Sequence, residues 1–252
     1  KKPFYTGIVQ LPDDSIVLAD YVNNACNLYD SSYNFASSFT LPVQPFDMCL
    51  VNHHEVAVTL RNKKTVQFLS IRDGCIKDTG TFTTWYQCYG LAAISRNEFV
   101  VSGYTDDLKK CCWSIVSRRA GETYYHVFDC SNPIRIRITL NNAHTRVYIC
   151  VYDTNEVFCF GLTDGKQYFI YTSKDLKNPY GITVDREDII YIAGNGSHNI
   201  HILSPNGKAL QIITIGIPKY PGRIIFDRSQ TYFVLTNFND MERTHLHIFN
   251  KQ

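Results

Sequence analysis

Short apolar runs separated by polar turns repeat along the whole chain, and six segments share one local plan. They are "FYTGIVQLPDDSIVLAD" from Phe4, "PFDMCLVNHHEVAVTL" from Pro45, "CYGLAAISRNEFVVSG" from Cys88, "PIRIRITLNNAHTRVYICV" from Pro133, "PYGITVDREDIIYIAG" from Pro179 and "PGRIIFDRSQTYFVLTN" from Pro221. Each supplies an apolar strand, a polar turn and a second apolar strand. Taking Gly7, Asp47, Gly90, Arg135, Gly181 and Arg223 as equivalent positions gives spacings of 40, 43, 45, 46 and 42. That period matches the length of a four-stranded propeller blade.

A third strand follows in every unit: "ACNLYD", "TVQFLSI", "CCWSIVS", "EVFCFGL", "NIHILS" and "HLHIFN". A fourth follows in the first five, whereas after "HLHIFN" only Lys251 and Gln252 remain. The pattern therefore predicts an all-β fold, a six-bladed β-propeller with four-stranded antiparallel blades whose last blade lacks its outer strand. It is expected to form one domain over 1–252, with blades at about 4–41, 45–82, 88–128, 133–174, 179–217 and 221–250. Composition agrees: 17 Tyr, 15 Phe and many β-branched residues suit pleated, half-buried surfaces. No run approaches the roughly 20 apolar residues of a membrane-spanning helix, and no membrane role is expected. The start "KKPFYTG" has neither an initiator Met nor a secretory segment, so the chain is expected to be part of something longer.

The fifth unit, "NPYGITVDREDIIYIAGNGSHNIHILSPNGKALQII", resembles the NHL repeat, and the first unit matches it less fully. The resemblance covers the whole chain by period and two units by motif. It implies the recognition end of a tripartite-motif ubiquitin ligase, with a zinc-binding RING and B-boxes upstream that could also mediate oligomerisation. Some members of that family bind RNA through a basic face. Here the Asp that ends the family's second strand is kept at Asp20 but replaced by Leu60, Gly103, Tyr152, Gly194 and Asn237 elsewhere.

Candidate contact residues follow from the propeller plan, in which loops at one end of the blades vary without disturbing the packed strands. The loops leading into the first strands present Phe46, Tyr89, Arg135, Tyr180, Tyr220 and Arg223. Those joining second to third strands add Arg61, Lys63, Lys64, Tyr104, Lys109, Lys110, Asn195, His198, Asn237 and Phe238. Aromatic and basic side chains of this kind form hot spots for a protein partner. They also stack and neutralise single-stranded RNA, which is the alternative partner. The formal net charge of +2 and near balance of charge on this face favour protein.

An enzyme of the propeller lyase or lactonase type would need several His or carboxylate ligands converging from different blades, and the sequence offers no such set. No cofactor and no metal are expected. The nine cysteines contain no C-x-x-C pair, and several lie in apolar runs where a reduced thiol packs as a small hydrophobe. A reducing, cytoplasmic setting is expected, with Cys88 and Cys130 as accessible thiols and no disulfide at Cys111 or Cys112. The sequon Asn195-Gly196-Ser197 reads as a chance occurrence.

Overall fold

The computed structural model describes residues 1–106, 109–130, 135–214, 216–237 and 246–250. It consists of two compact units, Lys1–Asp129 and Cys130–Gln252. Each contains three antiparallel sheets whose strands lie in sequence order. In the first unit, blade 1 runs through Tyr5–Gln10, Ile16–Asp20, Ala25–Tyr29 and Phe35–Thr40. Blade 2 runs through Met48–Asn52, Glu55–Leu60, Thr65–Arg72 and Cys75–Thr83, and blade 3 through Gln87–Ala93, Glu98–Tyr104, Cys111–Ser117 and Gly121–Phe128.

In the second unit, blade 4 comprises Ile136–Leu140, Arg146–Val151, Glu156–Gly161 and Gln167–Tyr171. Blade 5 comprises Pro179–Val184, Ile190–Gly194, Asn199–Leu203 and Ala209–Ile213. Blade 6 has three strands, Pro221–Phe226, Tyr232–Asn237 and Leu246–Asn250, as the sequence pattern predicts.

The second strands are apolar at consecutive positions because both of their faces are covered. Val56, Val58 and Leu60 pack against Val17, Ala19, Cys26 and Leu28 of blade 1. Ala57, on the other face of the same strand, joins Leu91, Phe99, Val101 and Cys112 of blade 3. Blade 5 repeats this, with Ile190 and Ile192 against Tyr148 and Cys150 of blade 4. Its Tyr191 and Ala193 lie against Ile224, Phe233 and Leu235 of blade 6. Each such side chain contributes roughly 1.5 to 3 kcal/mol through burial. Fourth strands meet packing on fewer sides, and Phe35–Thr40 and Ala209–Ile213 are largely exposed.

Tight first-strand contacts need glycine where backbones converge. A Cβ on Gly181 would lie 2.3 Å from the carbonyl oxygen of Gly222 in blade 6. One on Gly103 would collide with the ring of Tyr86, which lies across blade 3.

Polar ties also join blades. Arg118, just past the third strand of blade 3, donates from Nη1 and Nη2 to the two Glu55 oxygens of blade 2, both at 3.0 Å. Its guanidinium sits 3.6 Å over the Phe68 ring. Burial pushes the Glu55 carboxyl up, but hydrogen bonds from Arg118 and Thr79 outweigh it and hold the pKa below its ordinary value.

Asp47 is fully buried and accepts from Met48 N at 2.9 Å and from Leu91 N of blade 3 at 3.2 Å. Asp47→Ala strands two buried amides, each costing about 1 to 3 kcal/mol. We expect it to lower stability by about 2 to 5 kcal/mol in denaturant titration. An unchanged midpoint would show that these bonds carry no stability.

Candidate functional site

In the first unit, the second and third strands of blade 2 are joined by a single 3-10 turn, Arg61–Lys63, closed by Lys64 in the left-handed region at φ 52°. This turn directs its side chains onto the lead-in loop of blade 3. The Arg61 guanidinium lies 4.6 Å over the Tyr89 ring, and its Nε donates to Gln87 Oε1 at 3.1 Å. Lys64 Nζ donates to the Trp85 carbonyl at 3.2 Å and pairs with Asp106 at 2.9 Å. Gln87 Nε2 completes the network on Asp106 at 2.8 Å. The Lys64 contact is the main cause that holds the Asp106 carboxyl below its ordinary pKa.

Lys110 is paired with Asp129 at 2.9 Å. Lys63 and Lys109 are exposed and form no ion pair among the described residues. Tyr104 is half-buried in register with Gln87 and Cys111. Phe46 and Tyr89 are buried and meet edge to face at 5.1 Å, so they fill the space between blades 2 and 3 rather than face a partner.

The outward aromatic residue of this region is Trp85, 44% exposed. Its indole Nε1 donates to Glu122 Oε2 at 2.7 Å, and its ring packs on Tyr125 at 4.8 Å. A hollow of about 280 Å³ beside it is lined by Thr83, Thr84, Val116 and Glu122. The repeat alignment overlooked Trp85 because it precedes the aligned position Tyr89. A tryptophan among the polar residues of "TFTTWYQ" was the available signal.

In the second unit, the register corrects the alignment of blade 4. Gly7 opposes Ala19, Gly181 opposes Ala193, and it is Arg137 that opposes Cys150. The equivalent of Gly181 is therefore Arg137, two residues beyond Arg135, and the adjoining spacings become 47 (137 minus 90) and 44 (181 minus 137). Arg137 is 1% exposed, lies 4.4 Å over the Tyr180 ring and donates from Nη2 to the Tyr180 hydroxyl. Tyr180 is 2% exposed and also meets Tyr152 edge to face at 6.2 Å. Arg135 is half-buried, 4.6 Å over Tyr152.

Side chains of the second-to-third loops again bind the next blade. Asn155 Oδ1 accepts from Asn178 N at 2.7 Å, and Asn195 Nδ2 donates to Pro221 O at 3.1 Å. Asn195 is buried, so its sequon is not presented for glycosylation. His198 Nδ1 accepts from Tyr220 N at 3.0 Å, and the two rings meet edge to face at 4.7 Å. Tyr220 remains 43% exposed. Arg223 and Asn237 are buried, Arg223 N donating to Thr236 Oγ1 at 2.8 Å. Phe238 lies outside the described residues.

Two expectations about cysteine are corrected. Cys111 and Cys130 are disulfide-bonded. Cys111 pairs in register with Phe128, which puts Cys130 just beyond its opposite number. The two lie 19 residues apart, a spacing that by itself marks no pairing. Cys88 is buried, donates to Thr65 O, and has its thiol pushed up to about 12 by burial. Neither Cys88 nor Cys130 is an accessible thiol. Disulfides are rare in reducing compartments, so the cytoplasmic expectation loses its cysteine argument.

Among the described residues no three His, Cys, Asp or Glu side chains are grouped to hold a metal ion. His53 and His54 occupy the turn between the first two strands of blade 2, away from these loops. No helix among the described residues is long and apolar enough to cross a membrane.

No protein-family model matches the sequence. No curated protein matches it either. Solved structures do. The chain is similar to a streptogramin B lyase, at 14% identity and TM-score 0.73, over 100% of this chain and 84% of the other. It is similar to virginiamycin B lyase from Staphylococcus aureus, at 14% identity and TM-score 0.66, over 100% and 85%. It is also similar to the β-propeller domain of Cps50 (Swd1) from Myceliophteria thermophila, at 9% identity and TM-score 0.73, over 98% and 84%. At these identities the likeness establishes the fold, a six-bladed β-propeller.

Tyr180→Ala would remove a buried aromatic ring and the platform under Arg137. We expect a loss of roughly 3 to 5 kcal/mol in thermal or denaturant unfolding. A variant of unchanged stability would mean that Tyr180 is a contact residue after all.

Proposed function

We propose that the chain is a noncatalytic recognition module of the NHL type, the substrate-binding end of a tripartite-motif ubiquitin ligase. In this reading it grips a protein partner through the loop end of blades 2 and 3. The observation that carries it is Trp85: an exposed indole, fixed by Glu122 and by packing on Tyr125, whose carbonyl accepts from Lys64. A large aromatic held in place before binding loses little side-chain freedom on contact, and Trp, Tyr and Arg dominate hot spots. The NHL-like fifth repeat and the propeller fold support the family reading.

RNA binding is the second reading, and exposed Lys63 and Lys109 favour it. Pairing of Lys64 with Asp106 and of Lys110 with Asp129 leaves a weaker cationic field for phosphates. An enzyme of lyase or lactonase type is the third reading, raised by the names of the similar lyases. It has no grouped ligand set among the described residues to attach to.

The test is capture of partners by the chain, with and without nuclease, compared with Trp85→Ala and with Lys63→Glu combined with Lys64→Glu. We expect capture of a protein that survives nuclease and weakens by about 2 kcal/mol or more in Trp85→Ala, at an unchanged melting temperature. Undiminished capture by Trp85→Ala would sink the site. Nuclease-sensitive, salt-sensitive binding lost in the double Glu variant would move the assignment to RNA.

A further inference from the structure

A second surface lies at the opposite end of blades 1 and 2, where first and second strands turn. There a groove of about 420 Å³ is lined by Ser15, Leu28 and Ala36 of blade 1 and by Ile71 of blade 2. The strand registers show what this groove is. Leu60 pairs with Thr65 and Asp20 with Ala25, so the strands of blade 1 map onto those of blade 2 by an offset of 40. Ser15 then matches Glu55 and Leu28 matches Phe68. Ala36 matches Thr79, each being the extra residue at the same irregularity of the fourth strand. Ile71 matches Arg118: Ile71 N donates to His54 O as Arg118 N donates to Asn97 O, one turn residue in each blade.

The groove between blades 1 and 2 is thus the counterpart of the slot between blades 2 and 3 that the Arg118 side chain fills. In that filled slot the guanidinium lies over Phe68 and is gripped by Glu55, which Thr79 also supports. At the first junction isoleucine stands in place of arginine, and the slot is left open. Carboxylates still surround it. Asp13, Asp30 and Asp73 line it with Arg72 and His54, a formal balance of −2 with the imidazole neutral on a chain of net +2.

Asp13 is fixed through Oδ1, which accepts from Ser15 N at 3.1 Å and from Ser15 Oγ at 2.6 Å; its Oδ2 takes no hydrogen bond among the described residues. Asp73 takes part in no ion pair among them, and neither does Arg72. Asp30 is spent on Ser32 and Asn34 and supplies only its charge.

We propose that this slot receives an arginine side chain of a partner protein, doing between chains what Arg118 does within this one. The aliphatic stem would lie along Leu28 and Ile71, and the guanidinium would meet Asp13 and Asp73. Charged hydrogen bonds to a planar guanidinium suit paired carboxylate oxygens better than a lysine ammonium does. The surface is separate from Trp85, and its fate does not depend on the loop-end reading.

The probe is the hexapeptide acetyl-Gly-Gly-Arg-Leu-Gly-Gly-amide, titrated into the 252-residue chain and followed by amide chemical shifts. The same peptide with Glu for Arg is the control. We expect shifts at Ser15, Leu28 and Ile71 with the Arg peptide only. Ile71→Arg supplies the missing side chain in cis and is expected to weaken binding more than about tenfold, a change of about 1.4 kcal/mol. Asp13→Asn with Asp73→Asn, both exposed and keeping an acceptor oxygen for Ser15, is expected to weaken it by about tenfold as well, with the melting temperature measured alongside. Equal binding of the Glu peptide, or full affinity in the double Asn variant, would overturn the proposal.

Discussion

The structure depends on how each first strand enters its blade. In five of the six blades an extra residue stands near the start of that strand, so the ladder to the second strand is interrupted there. Buried amides without partners are costly, and side chains replace the lost ladder bonds. Thr59, Ser102 and Thr236 hydroxyls accept from the amides of Asp47, Gly90 and Arg223. The same positions reach the next blade: Thr59 Oγ1 donates to the Tyr89 carbonyl, and Cys150 Sγ to that of Tyr180. One row of side chains therefore closes blades 2, 3 and 6 and, at the Thr59 and Cys150 steps, reaches the next blade.

Recognition is shaped by this cost. Phe46, Tyr89 and Tyr180 carry the residue types of a contact surface, but they are buried, Phe46 against Tyr89, Tyr89 under Arg61 and Tyr180 under Arg137. Lys64, Asn155, Asn195 and His198 are spent on the next blade's lead-in loop. Of the described contact candidates of this end, Trp85, Tyr220, Lys63 and Lys109 remain outward. Sparse groups on a fixed frame suit a module that presents a few anchors, with loops free to differ around them.

The strands were legible because second and third strands are covered on both faces and so read as unbroken apolar runs. The three-stranded last blade was legible for the same reason. The register of blade 4 was not. "RIRI" alternates with a period of two, and a slip of two residues keeps every side chain on its face, so Arg135 and Arg137 could not be told apart. Burial of the lead-in aromatics was hidden too, because packing between neighbouring blades leaves no periodic mark in a loop. The bond of Cys111 and Cys130 depends on which strands are paired, information that spacing alone does not carry. Trp85 was visible but fell outside the repeat.

Side-chain acceptors, rather than the ladder, secure the first-strand entry of blades 2, 3 and 6. Hydrogen exchange resolved at the amides of Asp47, Gly90, Leu91 and Arg223 tests it most directly. These four amides are expected to exchange as slowly as the ladder amide of Ala57, through opening of a whole blade rather than local fraying. Exchange as fast as in the exposed turns would contradict it.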